Sequence, residues 1–198
     1  MKLYFFPGAC SLAVNIALRE VGVRFELVRV DLATRLASDG SHFQSVNPKG
    51  YVPALRLDDG QVLTENVAIL QYVADLNPPA QLAPAVGTFG RYRLLEWLSF
   101  INSEIHKGFS PLFADNPPQA VRQFALDRLT TRLDYLQGAL QPPFVLEGHF
   151  TVADAYLFTV LGWAPEVGMS LRRWPGLQRY HENIGTRPHV VAALEAEK

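Results

Sequence analysis

One stretch restricts the fold of this chain more than any other: Asn77-Pro78-Pro79-Ala80-Gln81-Leu82-Ala83-Pro84, where the residue pattern changes character. Before it, strand and helix signals alternate. Residues 2–6 read as a buried strand. Residues 12–21 are apolar nearly all round and closed by Gly22, the pattern of a buried helix with a glycine cap. Residues 25–31 set Phe25, Leu27 and Val30 among polar partners and suggest a second strand, and 34–46 form a weaker helical segment. Residues 53–57 and 62–63 flank Asp59-Gly60, a strong hairpin signal. Residues 65–76 carry Ile69, Leu70, Val73 and Leu76 at helical spacing. The order is βαβα followed by ββα.

After the proline-rich stretch nearly everything reads as helix. Residues 88–113 form a long amphipathic segment, broken by Asn116-Pro117-Pro118 and followed by a second at 119–140. A third, from Thr151 to about residue 166, is almost wholly apolar in its middle and therefore central. Two shorter helices start near Pro175 and Pro188. The expected plan is an α/β domain over 1–77, a linker over 78–87 and an all-helical domain over 88–198. A chain of 198 residues with 48% hydrophobic content supplies a real core for this. Charge is nearly balanced, 18 basic against 19 acidic residues, and no basic run reaches five. That argues against nucleic acid or a membrane surface as partner. The opening residues lack a long apolar core, and no membrane span is evident, so a cytoplasmic location is expected.

The only cysteine, Cys10, lies in Pro7-Gly8-Ala9-Cys10-Ser11, between the first strand and the first helix. One cysteine excludes an intrachain disulfide. A thiol at a helix start is exposed to unpaired N–H groups and the positive end of the dipole, which favour the thiolate. The same residue also fits as a small buried hydrophobe. Ser11 is a secondary donor candidate for the sulfur, whereas Tyr4 reads as packed in the first strand. Glu65-Asn66 opens a helix after Thr64. It suits either carboxylate binding or first-turn charge complementarity, the latter worth about 0.3–1 kcal/mol. Val52-Pro53 reads as an ordinary turn into a strand. His106 follows Ser99 and Ser103 at i−7 and i−3, a polar stripe fit for a cleft or for solvent. Thr151-x-x-Asp154 is an N-cap signature worth ~1 kcal/mol. Trp97, Trp163 and Trp174 read as core or cleft wall. No His/Cys/Asp/Glu group has metal-ligand spacing, so no metal is expected.

Taken together, several segments resemble the bacterial beta class of glutathione transferases. They are Lys2-Leu3-Tyr4 through Ser11, Val46-Asn47-Pro48-Lys49-Gly50-Tyr51-Val52-Pro53-Ala54-Leu55, Leu63 through Leu70, Glu104-Ile105-His106-Lys107-Gly108-Phe109, and Phe150-Thr151-Val152-Ala153-Asp154-Ala155. The resemblance implies a thioredoxin-like first domain with a cis Val52–Pro53 bond, followed by a helical domain walling an apolar co-substrate. It implies glutathione as co-substrate, with the backbone of Val52 beside its cysteinyl part and Glu65 and Asn66 at its γ-glutamyl end. It places Cys10 and His106 near the sulfur and Lys107 near a carboxylate. Arg35 stands where relatives often carry lysine, and Ser99 where they often carry asparagine. It also implies a homodimer in which Ser103 and Glu104 reach the neighbouring chain's glutathione. The implied reaction is conjugation of glutathione to apolar electrophiles, with mixed-disulfide chemistry available at Cys10. The alternatives are a glutaredoxin-like thiol reductase and a non-enzymatic ligand carrier or interaction protein.

Overall fold

A computed structural model describes all 198 residues. They divide into two compact units, residues 1–83 with 187–198, and residues 84–186.

The first unit is built on a four-stranded sheet in the order β2-β1-β3-β4. Strand β1 (Lys2–Phe5) runs parallel to β2 (Glu26–Arg29) and antiparallel to β3 (Ala54–Arg56), which pairs with β4 (Val62–Thr64). Three helices accompany it: α1 (Ser11–Glu20), the short α2 (Phe43–Val46) and α3 (Asn66–Leu76). Every residue of α1 from Ser11 to Leu18 is buried, which is why its sequence is apolar nearly all round. Gly22 closes it at φ +73°, a left-handed conformation that glycine adopts without steric cost, and its N–H reaches the carbonyl of Arg19. Leu3, Tyr4, Ile16, Leu18, Leu55, Ile69 and Leu70 are wholly enclosed. Each such side chain contributes about 1.5–3 kcal/mol.

Two expectations fail here. Residues 34–46 are not one helix; only Phe43–Val46 is helical. The Asp31 carboxylate instead accepts the N–H groups of Ala33 and Thr34, and the Asp39 carboxylate that of Ser41. Such local side-chain bonds give the backbone an alternative to a helix. Asp39 also accepts from Lys2 Nζ and the Tyr4 hydroxyl, which ties the loop to β1. Burial pushes the Asp39 carboxyl up, but these hydrogen bonds outweigh it and hold the group at about 2. The second failure is the domain plan, which put all of 88–198 in one helical domain. Residues 187–198, with helix α9 (Pro188–Ala196), join the first unit and pack on α1. Asn15 Nδ2 donates to the carbonyl of Ala193, and the Arg187 guanidinium forms a fork with the Glu20 carboxylate. The units part between Ala83 and Pro84, and residues 78–80 form a 3₁₀ turn.

The second unit is helical. Helix α4 (Phe89–Phe100) starts on Thr88, whose hydroxyl accepts from the N–H of Arg91. It runs into a π-helical segment, Ile101–His106, then a single α turn, Lys107–Phe109 (α5), and a 3₁₀ turn, Ser110–Phe113. Helices α6 (Gln119–Ala139), α7 (Val152–Leu161) and α8 (Pro175–Gly185) follow. All ten residues of α7 are buried. At its start the Asp154 carboxylate collects four donors, the N–H groups of Val145 (2.7 Å) and Thr151 (2.8 Å) and the hydroxyls of Thr151 (2.9 Å) and Tyr180 (2.9 Å). Burial raises its pKa to about 6 against the pull of these donors. The residue read as an N-cap partner is thus a hub joining α7, α8 and the loop before them.

Candidate functional site

In the first unit the chemistry gathers around one loop, residues 47–53. Asn47, 1% exposed, shapes it: its amide donates to the carbonyl of Tyr51 (2.7 Å), and its side-chain oxygen accepts from the N–H of Lys49 (3.2 Å). Gly50 takes φ +76° and donates back to the carbonyl of Asn47. The Val52–Pro53 bond is cis. From this loop three candidate residues are reached. Cys10, at the start of α1 and 8% exposed, has its Sγ 3.6 Å from the carbonyl of Val52, in range of a weak S–H donor. The Arg35 guanidinium donates to the carbonyl of Gly50, from a backbone at φ +62°. Lys49 Nζ donates to Thr64 Oγ1 (3.0 Å) and to the Glu65 carboxylate at the start of α3.

Glu65 stands at φ +70°, which an L-residue seldom adopts, and its carboxylate is half-exposed. Asn66 beside it is 6% exposed, and neither Nδ2 nor Oδ1 has a protein partner. An unsatisfied buried amide costs about 1–3 kcal/mol per group. A ligand that bonded it would recover that cost.

The turn before Cys10 is braced from the end of the chain. The Glu197 carboxylate accepts from the N–H of Gly8 (3.1 Å) and from Asn15 Nδ2 (3.1 Å). Burial raises the Glu197 pKa, and the bonds from Asn15 and Gly8 oppose the rise. Ser11 does not serve the sulfur. Its hydroxyl, fully buried, donates to the carbonyl of Phe6 and accepts from the N–H of Phe6, so it closes the end of β1.

In the second unit the centre is His106. Its Nδ1 lies 2.6 Å from the Tyr156 hydroxyl, which donates in turn to Asn102 Oδ1 at 3.0 Å. The single hydroxyl hydrogen goes to Asn102, so Nδ1 carries the imidazole hydrogen and donates to Tyr156. Nε2 is left as the acceptor. The ring stands edge-on to Trp163, centroids 4.9 Å apart. Burial first, and the charge of Lys107 second, lower its pKa to about 4, so the imidazole is neutral at pH 7.

The expected stripe of Ser99, Ser103 and His106 assumed α-helical spacing. The π-helical segment breaks that register, as such segments do, often at functional sites. Asn102, not Ser103, joins the network of His106, by accepting from the Tyr156 hydroxyl. Ser103 instead shares a cavity of about 100 Å³ with Lys107, Gly108 and Arg128. The Ser99 hydroxyl is spent on the carbonyl of Leu95 (2.7 Å). Glu104 is engaged by Arg132 Nε (2.6 Å) and Arg128 Nη2 (3.4 Å), and Arg132 foremost lowers its pKa. No group of three or more His, Cys, Asp or Glu is placed to hold a metal ion.

Comparison with known proteins identifies the family. Residues 8–76 match the family model for the glutathione S-transferase N-terminal domain, and residues 100–188 that for the C-terminal domain. Glutathione S-transferase GstA of Escherichia coli O157:H7 is 46% identical over 198 residues, covering 100% of this chain and 98% of the relative. The chain belongs to the glutathione S-transferase family. Among solved structures, a sphingomonad glutathione S-transferase complexed with glutathione superposes with a TM-score of 0.96 at 49% identity, covering 100% of this chain and 98% of that one. A bacterial beta-class glutathione S-transferase from Sphingomonas chungbukensis gives 0.95 at 49% identity, with the same coverage.

For a glutathione S-transferase, the sequence motifs pointed to Cys10, Val52, Pro53, Glu65 and Asn66, and the structure groups Cys10 with Val52 and Glu65 with Asn66. Lys49, Asn102, Tyr156 and Glu197 were missed. Lys49 lies inside a quoted motif, and Asn102 stands four residues before His106, so both left a local signal. Tyr156 and Glu197 left none, because their partners are 50 and 189 residues away.

Proposed function

We propose that this protein conjugates the thiol of glutathione to small apolar electrophiles. The observation that carries the reading is the loop 47–53, which bonds to Cys10, Arg35 and, through Lys49, Glu65. The donor set fits glutathione. The N–H groups and dipole at the start of α3, with the orphaned amide of Asn66, suit the carboxylate of the γ-glutamyl end, and Glu65 suits its ammonium. The backbone of Val52 lies alongside the cysteinyl part, and Pro53 holds that edge. Arg35 suits the glycyl carboxylate, since a guanidinium recognises carboxylates well.

In this reading glutathione supplies the nucleophile. Its sulfur gives its proton to solvent, and the resulting thiolate forms the new bond to carbon as the electrophile's leaving group departs with the bonding electron pair. The protein holds the thiolate, with the α1 start and Cys10 beside the sulfur. His106, neutral and with Nε2 as acceptor, takes a hydrogen bond from the thiol, and Lys107 serves a glutathione carboxylate. Ser99 contacts glutathione, and Ser103 and Glu104 belong to the second copy's glutathione in a homodimer. Release of Glu104 from Arg132 or Arg128 accompanies that role. A homodimer is supported by the exposed apolar side chains of the helical unit, Val86, Phe89, Tyr92, Phe124 and Tyr135. No helix is long and apolar enough to cross a membrane, and we place the protein in the cytoplasm.

Initial rates with an aryl halide, an organic peroxide and a glutathione mixed disulfide test the reading. Aryl-halide turnover that saturates in glutathione is expected. Turnover of the mixed disulfide alone would favour thiol reduction, and failure to bind glutathione would favour a non-enzymatic role.

A further inference from the structure

The Lys49–Glu65 pair is half-exposed on both sides. A surface ion pair of this kind stabilises a fold by only about 0–1 kcal/mol, so stability gives little reason for it. Its position is more informative. The ammonium bonds to Thr64 and Glu65, the two residues that lead into α3, and so sits at the helix start. Next to it lies the buried amide of Asn66, whose two polar atoms lack protein partners. An ammonium has three N–H donors, and two are spent, on Thr64 Oγ1 and Glu65. The two bonds leave one N–H for a further acceptor.

We propose that Lys49 is a specificity-determining residue of the glutathione site: it fixes Glu65 through one N–H and gives another to the α-carboxylate of the γ-glutamyl residue. This rests on the reading of the α3 start as the γ-glutamyl subsite. The pair then presents one positive and one negative charge to a ligand end that carries one ammonium and one carboxylate on the same carbon. A ligand lacking the carboxylate leaves the remaining Lys49 N–H without a ligand acceptor, and one lacking the ammonium leaves Glu65 with Lys49 alone. The site therefore selects a free α-amino-acid end over a simple amine or a simple acid.

Calorimetric titration of the full-length protein, Lys49→Met and Lys49→Arg with two ligands tests this. One ligand is glutathione; the other is γ-aminobutyryl-cysteinyl-glycine, which is glutathione without its α-carboxylate. Lys49→Met is expected to weaken glutathione about 10-fold, the scale of one partly solvated charge-assisted bond. It should leave the analogue within about 2-fold, and Lys49→Arg should recover most of the loss. Equal weakening of both ligands would overturn the proposal, because Lys49 would then only shape Glu65. Unchanged glutathione affinity in Lys49→Met would overturn it too, while leaving the glutathione reading intact. If the unaltered protein binds neither ligand, the reading itself fails and the proposal falls with it.

Discussion

The α/β unit and the helical unit hold their reactive groups in different ways. In the α/β unit, the Lys49–Glu65 pair excepted, the side chains at the site are matched to backbone. Asn47 holds the carbonyl of Tyr51, Arg35 that of Gly50, Cys10 faces that of Val52, and Glu197 receives the N–H of Gly8. In the helical unit side chain is matched to side chain across long separations: His106 to Tyr156 to Asn102, and Glu104 to Arg128 and Arg132. A backbone partner is present whatever residue occupies its position, so one side chain suffices. A side-chain partner requires two matched identities, and a change to either breaks the bond.

The largest expected effect lies at the point where the helical unit combines both modes. Asp154→Ala leaves the N–H groups of Val145 and Thr151 and the hydroxyl of Tyr180 without their acceptor. At about 1–3 kcal/mol per orphaned group, the loss should reach roughly 3–5 kcal/mol. Urea unfolding followed by circular dichroism measures it, and a loss below about 1 kcal/mol would remove Asp154 as the hub. Next comes the equivalent test in the α/β unit. Asn47→Ala removes one side chain with two backbone partners and should cost about 2 kcal/mol. It should also raise the KM for glutathione more than that for the electrophile, because the loop carries the expected contacts. A stability loss with both KM values unchanged would detach the loop from binding.

Much of the α/β unit was legible because its signals are local. The Asp59-Gly60 turn, the Gly22 cap and the apolar α1 each lie within a few residues of what they determine. The 34–46 segment is not one helix because the carboxylates of Asp31 and Asp39 take backbone N–H groups that a helix start would need to order. Helix α9 was recognised as a helix, but its home was not. Only the burial of Val190 and Ala193, together with the bonds of Asn15 to Ala193 and Glu197, sends it to the first unit. The π-helical turn left no signal, since residues 101–106 have no composition that distinguishes it from α, and its shift of register brings Asn102 rather than Ser103 to the Tyr156 hydroxyl that bonds His106.

Smaller effects sharpen the comparison within the helical unit. Tyr156→Phe removes the hydroxyl that fixes the His106 tautomer and should cost about 1 kcal/mol. Nitrogen NMR should then show both tautomers where the unaltered protein shows hydrogen on Nδ1. The smallest expected signal is an absence. The His106 pKa is held at about 4, below the ordinary value near 6.5. The folded protein therefore binds fewer protons than the unfolded chain between those values. The contribution of His106 to stability is complete above about pH 6.5 and is lost as pH falls through about 4. Its ring resonances should stay flat from pH 5.5 to 8, and a midpoint near 6.5 would show that burial does not control it.

The central claim is that the start of α3 and the loop beside it bind the γ-glutamyl end of glutathione. Steady-state kinetics of Glu65→Ala with glutathione and an aryl halide test it most directly. The account predicts a rise in the KM for glutathione of roughly 10- to 150-fold, the equivalent of losing a charge-assisted bond of about 1.5–3 kcal/mol, with the KM for the aryl halide nearly unchanged. An unchanged KM for glutathione in a folded Glu65→Ala variant would contradict it.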